Sequence, residues 1–465
     1  MQTLSGRCFP NDASDKAVQE ALDATGCALS AGSLAELGEL ENHVLERILS
    51  HRREAGADES VYVGGPGVAF ALLKVAALRK RAEQEEGCGE NSWRKLPATA
   101  EELLRPWETR LRTEARQDPG YACSLLCGQA GWLCTDALRR HIVGDITGAA
   151  AAAAEYVSLS EAALSPAVLD ANEWLYGRAG YLLGMLLLQA NVGGEAALPA
   201  TVAGLPHALA TVILEEGQCC ARRLNLAWPL MWTWHGRAYL GAAHGVAGIL
   251  YALLHVTSVI EDPKWRASIL GTLEGLEAAK TENGNWPSKC GEKTDNLVHF
   301  CHGAPGMVWL NCKAHAAFGE RRFLDQAVAA GETVWRFGLL KKGPGLCHGV
   351  AGNGYALLAL FQATGDPLWL ARARHFASRM LAPDVVAASR TPDAPWSLFE
   401  GLAGSLCFLV DLRLAPSTAA LPVFDPQRLV RAREVSCVPT NKRPKSTQEG
   451  VPLGGLATED GGLCG

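Results

Sequence analysis

Seven short glycine motifs, each followed by an apolar stretch, recur along the chain. The motifs have the form G-x-x-G and begin 46 to 68 residues apart, at positions 64–67, 128–131, 177–180, 245–248, 303–306, 349–352 and 401–404. The stretch after each motif is apolar at nearly every position, as in AGYLLGMLLLQA after the third motif. Such stretches predict helices that are buried on all sides.

The segments between the motifs have a single apolar stripe instead. In 34–55, apolar residues recur at helical spacing opposite Glu and Arg, at Leu34, Leu37, Val44, Leu45, Ile48 and Leu49. Alternation of buried and half-exposed helices over seven repeats predicts an all-α fold, a seven-fold, double-layered α/α toroid spanning 1–426. Signals for β-strands are scarce. Segments 79–120 and 148–155 fit the pattern loosely and are interpreted as connecting outer elements.

Two parts of the chain need a separate interpretation. Residues 238–260 contain no Asp, Glu, Lys or Arg and are long enough to span a bilayer. Because this stretch contains two histidines and one of the recurring glycine motifs, we predict a buried helix. Residues 427–465 are rich in Gly, Pro and charge without helical periodicity, which predicts a disordered tail.

Composition and charge narrow the class of protein. The chain is 48% hydrophobic and 20% charged, with a net charge of −6 and no basic face interleaved with aromatics, so we expect no nucleic-acid partner. The N-terminus MQTLSGRCFPND lacks the pattern of a secretory signal, which predicts an intracellular protein that is not secreted. The 15 cysteines then indicate buried thiols and metal ligands rather than a disulfide framework.

The glycines predict where the inner helices begin. Glycine tolerates positive φ in a tight turn and permits close backbone approach. If all inner helices begin at such turns, the residues before each first glycine meet at one mouth of the toroid. One residue before it lie Val63, Cys127, Tyr176, His244, His302, His348 and Glu400. Two residues before it lie Tyr62, Leu126, Leu175, Ala243, Cys301, Cys347 and Phe399.

Cysteine and histidine are concentrated at these positions in repeats four to six. The pairs Cys301-His302 and Cys347-His348 come from adjacent repeats. Zinc takes thiolate and imidazole ligands, and a helix N-terminus favours the thiolate. The spacing predicts a metal site but does not choose among these four residues, which together would make a closed structural site.

Several segments resemble the eukaryotic LanC-like proteins, relatives of bacterial lanthionine cyclases. They are YLGAAHGVAGI, LVHFCHGAPG, GLLKKGPGLCHGVAGN and RTPDAPWSLFEGLAG, and the resemblance runs from GRCFPN near Arg7 to LPVFD near Asp425. It implies one zinc ion held by Cys301, Cys347 and His348, with the fourth position open as in catalytic zinc sites.

The resemblance also implies the remaining site residues. His244 matches the catalytic histidine of the family, and Glu173 lies where the bacterial cyclases place an acidic group. Glutathione is the implied ligand, and the residues that match its contacts are Lys342, Arg390, Thr391, Pro392, Asp393 and Arg7.

With the predicted metal site, the resemblance implies a zinc-dependent, glutathione S-transferase-like enzyme. It would add glutathione to dehydroalanine or dehydrobutyrine in peptides or proteins, or to similar electrophiles. Two alternatives stay open: a glutathione sensor that signals through protein partners with little turnover, and a peptide lanthionine cyclase. A glycosidase is disfavoured, because it needs two opposed carboxylates and the mouth offers only Glu400 and Glu173 as candidates. The predicted location is cytoplasmic, with peripheral membrane association as a further option.

Overall fold

The apolar stretches after the glycine motifs form helices in the computed structural model, which describes residues 4–86, 92–192 and 202–427. The helices are α1 (Leu4–Arg7), α2 (Asp15–Gln19), α3 (Ala31–Ser50), α4 (Arg52–Ala55), α5 (Gly65–Glu86), α6 (Leu96–Leu104), α7 (Glu108–Gln117), α8 (Pro119–Ala122), α9 (Gln129–Ile142), α10 (Ile146–Ser158), α11 (Ser160–Leu164), α12 (Arg178–Asn191), α13 (Leu205–Arg223), α14 (Val246–Leu253), α15 (Thr257–Glu261), α16 (Pro263–Ala278), α17 (Ala304–Phe318), α18 (Arg321–Phe337), α19 (Val350–Thr364), α20 (Pro367–Met380), α21 (Pro383–Ala388) and α22 (Leu402–Leu414). Short 3-10 helices span Ser92–Lys95, Arg105–Trp107 and Pro416–Thr418.

Seven of these helices form a closed inner ring. They are α5, α9, α12, α14, α17, α19 and α22, and each begins one residue after the first glycine of its motif. Each packs against the next along the chain, and α22 packs against α5 to close the circle. The predicted helix starts are confirmed at all seven motifs. Over the described ranges the structure contains isolated β-bridges but no strand.

An outer layer surrounds the ring. Helices α6, α10, α13, α18 and α20 each pack against the inner helix that precedes them, while α3, which precedes the first inner helix, packs against the last one, α22. The apolar stripe predicted for α3 is buried at Leu37, Val44 and Ile48, but Leu34 is exposed. The double-layered α/α toroid predicted from the repeats is the observed architecture.

The motif glycines allow close packing rather than unusual backbone angles. Among the seven first glycines only Gly303 has a positive φ, of 111°, so the expectation of positive φ is wrong at the other six. A Cβ on Gly180 would overlap the carbonyl of Trp174, and a Cβ on Gly352 would overlap that of Leu346. The glycines are needed because each helix start presses against the backbone that leads into it.

The uncharged stretch 238–260 is divided into turns and short helices. Only Val246–Leu253 forms the inner helix α14, and all eight of its residues are buried, as predicted. In the part of the chain that the structure describes, no helix is long and apolar enough to cross a membrane.

The last described segment packs inside the ring. The Phe424 ring stacks on Tyr251 of α14, with centroids 4.3 Å apart, and meets Trp174 and Phe300 edge-on at 5.0 and 4.9 Å. Phe424 is 1% exposed, so this aromatic cluster fills the interior beneath the helix starts. The tail predicted to be disordered lies outside the described residues from position 428 onward.

A buried ion pair joins the first and last inner helices. Lys74 of α5 and Asp411 of α22 lie 2.5 Å apart, and both side chains are almost fully buried. The Lys74 ammonium also donates to the carbonyl of Ala420, and the Tyr355 hydroxyl donates to Asp411. Burial raises the pKa of Asp411 in spite of these contacts. Because every partner is satisfied, the pair can close the ring without leaving a bare charge in the core.

Candidate metal and thiol site at the mouth of the ring

Backbone hydrogen bonds connect the helix starts into a circle. The donor and acceptor residues, in order, are Tyr62–Leu126, Leu126–Leu175, Trp174–Ala243, Ala243–Cys301, Cys301–Cys347, Cys347–Phe399 and Phe399–Tyr62, with distances of 2.8 to 3.4 Å. Six of these seven bonds join equivalent positions two residues before a motif. The seven segments therefore share one rim, and residues far apart in the sequence become neighbours there.

Three potential metal ligands meet on this rim. The Sγ atoms of Cys301 and Cys347 and a ring nitrogen of His348 all lie within 4.8 Å of one another. Among the described residues this is the only cluster of His, Cys, Asp and Glu with such geometry. Sulfur ligands around a tetrahedral zinc ion lie about 3.8 Å apart, so the donor set fits zinc in its chemistry, and its atoms are close enough together to reach one ion.

The two thiols are electrostatically unequal. A hydrogen bond to Cys347 and burial raise the pKa of the Cys301 thiol, while the Lys342 ammonium opposes this. The hydrogen bond from Cys301 and then one from His348 lower the pKa of Cys347. The pair therefore favours a thiolate at Cys347, which is the form that binds a metal.

Tyr62 also belongs to this site, although sequence reasoning gave it no role. Tyr62 lies two residues before the first motif, and its hydroxyl is hydrogen-bonded to the Cys347 sulfur. Burial raises the pKa of Tyr62, so the hydroxyl stays a hydrogen-bond donor toward that sulfur. Its position in the repeat was visible in the sequence, but the bond across the closed ring was not.

His302, the fourth residue that the spacing allowed, does not join the cluster. It is absent from the group of ligand atoms that share the 4.8 Å neighbourhood. Burial lowers the pKa of His302 to about 4, and its Nδ1 is buried with no hydrogen-bond partner. The ring is therefore neutral and lies beside the cluster, at 5.6 Å from the ring of Tyr239.

Glu173 and His244 form a hydrogen-bonded pair. His244 Nδ1 lies 2.7 Å from Glu173 Oε2, and Glu173 is 2% exposed. The carboxylate also accepts the backbone N–H groups of Leu175 at 2.9 Å and Tyr176 at 2.5 Å. Because a carboxylate only accepts, Nδ1 of His244 donates, which leaves Nε2 as the nitrogen that can exchange a proton.

The basic residues predicted to contact glutathione are assembled by backbone pairing. The Lys341 N–H donates to the Arg7 carbonyl at 3.1 Å, and the Arg390 N–H donates to the Lys341 carbonyl at 2.7 Å. This brings the N-terminal segment, Lys342 and Arg390 together beside the rim. Lys342 is exposed, whereas the Nε of Arg7 is buried with no hydrogen-bond partner.

The segment 390–393 is on the surface. Arg390 donates to Asp393 at 2.9 Å, and both side chains are mostly exposed. Arg390, Thr391 and Pro392 line one wall of a mainly apolar cleft of about 330 Å³, whose other walls include Met380 and Trp396. Asp393 thus orients Arg390 in this structure, and any carboxylate ligand of Arg390 would have to share its guanidinium with Asp393.

Another histidine near the cluster was not identified from the sequence. His299 is buried, and its ring lies 6.0 Å from that of His348. Burial, followed by the positive electrostatic effects of His348 and Lys342, lowers the pKa of His299 well below its usual value. It occurs in LVHFCHG, next to the fifth motif, so proximity to the motif was a usable signal.

Comparison with known proteins agrees with this architecture. The model of the lanthionine synthetase C-like protein family matches residues 56–425. Glutathione S-transferase LANCL1 of Danio rerio is 39% identical over 256 residues, which cover 55% of this chain and 62% of that protein. LanC-like protein GCL1 of Arabidopsis thaliana is 32% identical over 407 residues, covering 83% of this chain and 87% of that protein.

A solved structure gives the same fold. Nisin cyclase superposes with a TM-score of 0.56 at 16% identity, covering 83% of this chain and 98% of the cyclase chain. At that sequence identity, the superposition supports a shared α/α toroid fold and nothing further. The family match, by contrast, covers most of the chain, including all seven motifs. The chain belongs to the lanthionine synthetase C-like family.

Proposed function

We propose that this protein adds the thiol of glutathione to the β-carbon of dehydroalanine or dehydrobutyrine residues in peptides or proteins. The observation that carries the proposal is the meeting of two chemistries on one rim. Cys301, Cys347 and His348 form a cluster that could hold a metal ion, and Glu173 is hydrogen-bonded to His244, which would act as the acid–base group. Thiol addition to a conjugated alkene needs both a thiolate and a proton donor.

Cys301, Cys347 and His348 would hold one zinc ion. Three protein ligands are typical of catalytic zinc, whereas structural sites are closed by four. A zinc ion bound there would supply Lewis-acid chemistry that deprotonates a coordinating thiol at neutral pH. Tyr62 would donate a hydrogen bond to the Cys347 sulfur and fix its orientation.

His244 would carry the proton. Addition forms a carbon–sulfur bond at the β-carbon, and the electron pair of the C=C bond moves to the α-carbon and its carbonyl. A proton from His244 Nε2 then completes the α-carbon, and the proton lost by the glutathione thiol restores the imidazolium, so the sequence is balanced. Glu173 stabilises the charged ring and fixes its tautomer.

The basic residues near the rim suit glutathione. At neutral pH glutathione carries two carboxylates, which form charge-assisted hydrogen bonds with cations. The Nε atom of Arg7 is buried without a hydrogen-bond partner. The positive charge of Lys342 lies close enough to Cys301 to oppose the rise in the pKa of that thiol. These residues would bind the carboxylates while the sulfur reaches the cluster. Of the predicted contacts, Asp393 would act by orienting Arg390.

The experiment combines the purified protein, glutathione and a peptide that contains one dehydroalanine and one distant cysteine. Mass spectrometry should find the peptide plus one glutathione, formed faster than without protein. A ring-closed peptide of unchanged mass, resistant to thiol alkylation, would indicate the cyclase alternative. Glutathione binding by calorimetry with neither product would indicate the sensor alternative.

A further inference from the structure

A small hairpin carries an aromatic side chain to the mouth. Trp234 and Arg237 exchange two backbone hydrogen bonds of 3.0 Å, and the two residues between them have positive φ, 47° at His235 and 72° at Gly236. These features define a type I′ turn. The chain after the hairpin pairs with residues 288–290, so the hairpin is attached to the body of the protein.

The Trp234 ring connects two residues of the rim. It stacks on Tyr176 with centroids 5.2 Å apart and an interplanar angle of 11°, and on His244 at 5.9 Å and 7°. Tyr176 and Trp234 are each half-buried, so part of each ring remains accessible. We name these two residues the aromatic shelf. The planes of the two shelf rings and of the His244 imidazole are nearly parallel, and centroid separations of 5.2 and 5.9 Å mean that each stacking is offset and covers the indole face of Trp234 only in part.

We infer that the aromatic shelf binds the acceptor peptide, with the planar dehydroamino acid and its flanking amide stacked on Trp234 beside His244. The inference rests on the proposed function. The α-carbon of a dehydroamino acid is trigonal and conjugated with its carbonyl, so the residue is flat. A flat π-system packs on an aromatic face in an offset parallel arrangement.

This arrangement would also bind the unsaturated substrate more tightly than the saturated product. Addition of a thiol makes the α-carbon tetrahedral, and the residue then no longer lies flat on the shelf. Saturated residues of ordinary proteins lack the flat conjugated group as well. The aromatic shelf would therefore select dehydrated peptides over unmodified ones and favour release after addition.

The test is a binding measurement without glutathione. The probes are a short peptide with one dehydrobutyrine and the same peptide with 2-aminobutyrate in its place, with Kd measured by calorimetry. The protein should bind the dehydrobutyrine peptide about tenfold more tightly. Trp234→Leu keeps apolar volume but removes the ring, and it should lose most of this discrimination.

Trp93→Leu is the matched control. Trp93 is also half-buried, but its ring packs on Lys80 of α5. Lys80 lies 15 residues beyond the start of α5, which places this contact about 22 Å along the helix from the mouth. This variant should discriminate as well as the parent. Tyr176→Leu removes the second ring of the shelf and should have a smaller effect in the same direction. Unchanged zinc content and thermal unfolding would show that each variant is folded.

The two proposals can fail separately. If the parent protein forms the glutathione adduct and Trp234→Leu discriminates as well as the parent, the aromatic shelf is not the acceptor site. If the parent discriminates between the peptides, Trp234→Leu does not, and the parent forms no adduct, the aromatic shelf stands and the proposed reaction fails. Equal affinity of the parent for both peptides would also overturn the inference.

Discussion

The two sides of the mouth use the segments just before the inner helices for different chemistry. On the thiol side, in repeats five and six, Cys301, Cys347 and His348 lie within 4.8 Å of one another. On the acid–base side, in repeats three and four, Glu173 is buried and bound to His244. The repeat supplies a rigid place at a helix start, and the residue that occupies it decides what that place does.

The two sides of the mouth also differ in the hydrogen bonds that position their functional residues. The thiol-side residues come from adjacent repeats joined by a backbone hydrogen bond of 3.1 Å between Cys301 and Cys347. On the acid–base side, Glu173 is fixed by two backbone N–H groups and in turn fixes His244. A change on the thiol side should therefore remove the metal, whereas a change on the acid–base side should leave the metal and slow the reaction.

The largest effect is expected from Cys347→Ala. Loss of one of three ligands should reduce zinc from about one per chain to nearly none, and glutathione addition should disappear. Metal analysis after gel filtration measures the first effect. Cys127→Ala is the control, because Cys127 lies on the same rim but outside the ligand cluster. Retention of full zinc content by Cys347→Ala would refute the ligand assignment.

The second-largest effect is expected from His244→Gln. The variant should keep its zinc and its affinity for glutathione, because His244 is outside the ligand cluster. Its rate of addition to a dehydroalanine peptide should fall by about 10²- to 10⁴-fold, the usual range for loss of a general acid–base group. Single-turnover kinetics would measure this, and an unchanged rate would remove His244 from the mechanism.

A smaller loss is expected from Glu173→Gln. The amide oxygen can still accept a hydrogen bond, but the negative charge that stabilises the imidazolium is lost. We expect a rate lower by about 10- to 100-fold, by analogy with carboxylates that orient metal-bound imidazoles. The double variant with His244→Gln should be no slower than His244→Gln alone. Additive losses would mean that Glu173 acts independently of His244.

The smallest effect is expected from Lys342→Ala. Because Lys342 is exposed, the proposed contact with a glutathione carboxylate would be screened, and KM for glutathione should rise only about fivefold. The rate at saturation should not change. Lys341→Ala is the neighbouring control, because the Lys341 ammonium lies over the ring of Phe9 instead. An equal rise in both variants would indicate a general charge effect.

The repeat pattern made much of the mouth predictable. The glycine motifs marked all seven inner helix starts, because close packing at each start excludes any side chain. Once the starts were known, the residues before them had to converge, and this gave Cys301, Cys347 and His348 among four possible ligands. The choice among the four needed either the family resemblance or coordinates. The two Cys-His pairs occupy equivalent places in their repeats, so the spacing of the motifs does not distinguish a ligand from its neighbour.

Contacts across the ring were not predictable from local pattern. Trp234 reaches His244 because a two-residue turn with positive φ reverses the chain, and His235 at its first position is not a typical turn signal. Phe424 fills the interior from a segment with no periodicity. Tyr62 meets Cys347 only because repeat one closes on repeat seven. Such contacts depend on chain reversal, interior packing or ring closure, which the spacing of the motifs does not encode.

The central claim is that thiols and an imidazole from adjacent repeats are ligands of one metal ion. X-ray absorption at the zinc edge of the purified protein tests it most directly, because it counts the sulfur and nitrogen neighbours of the ion. The expected result is two sulfur atoms at about 2.3 Å and at least one nitrogen at about 2.0 Å. A zinc ion with fewer than two sulfur neighbours, or a protein that retains no zinc, would contradict the account.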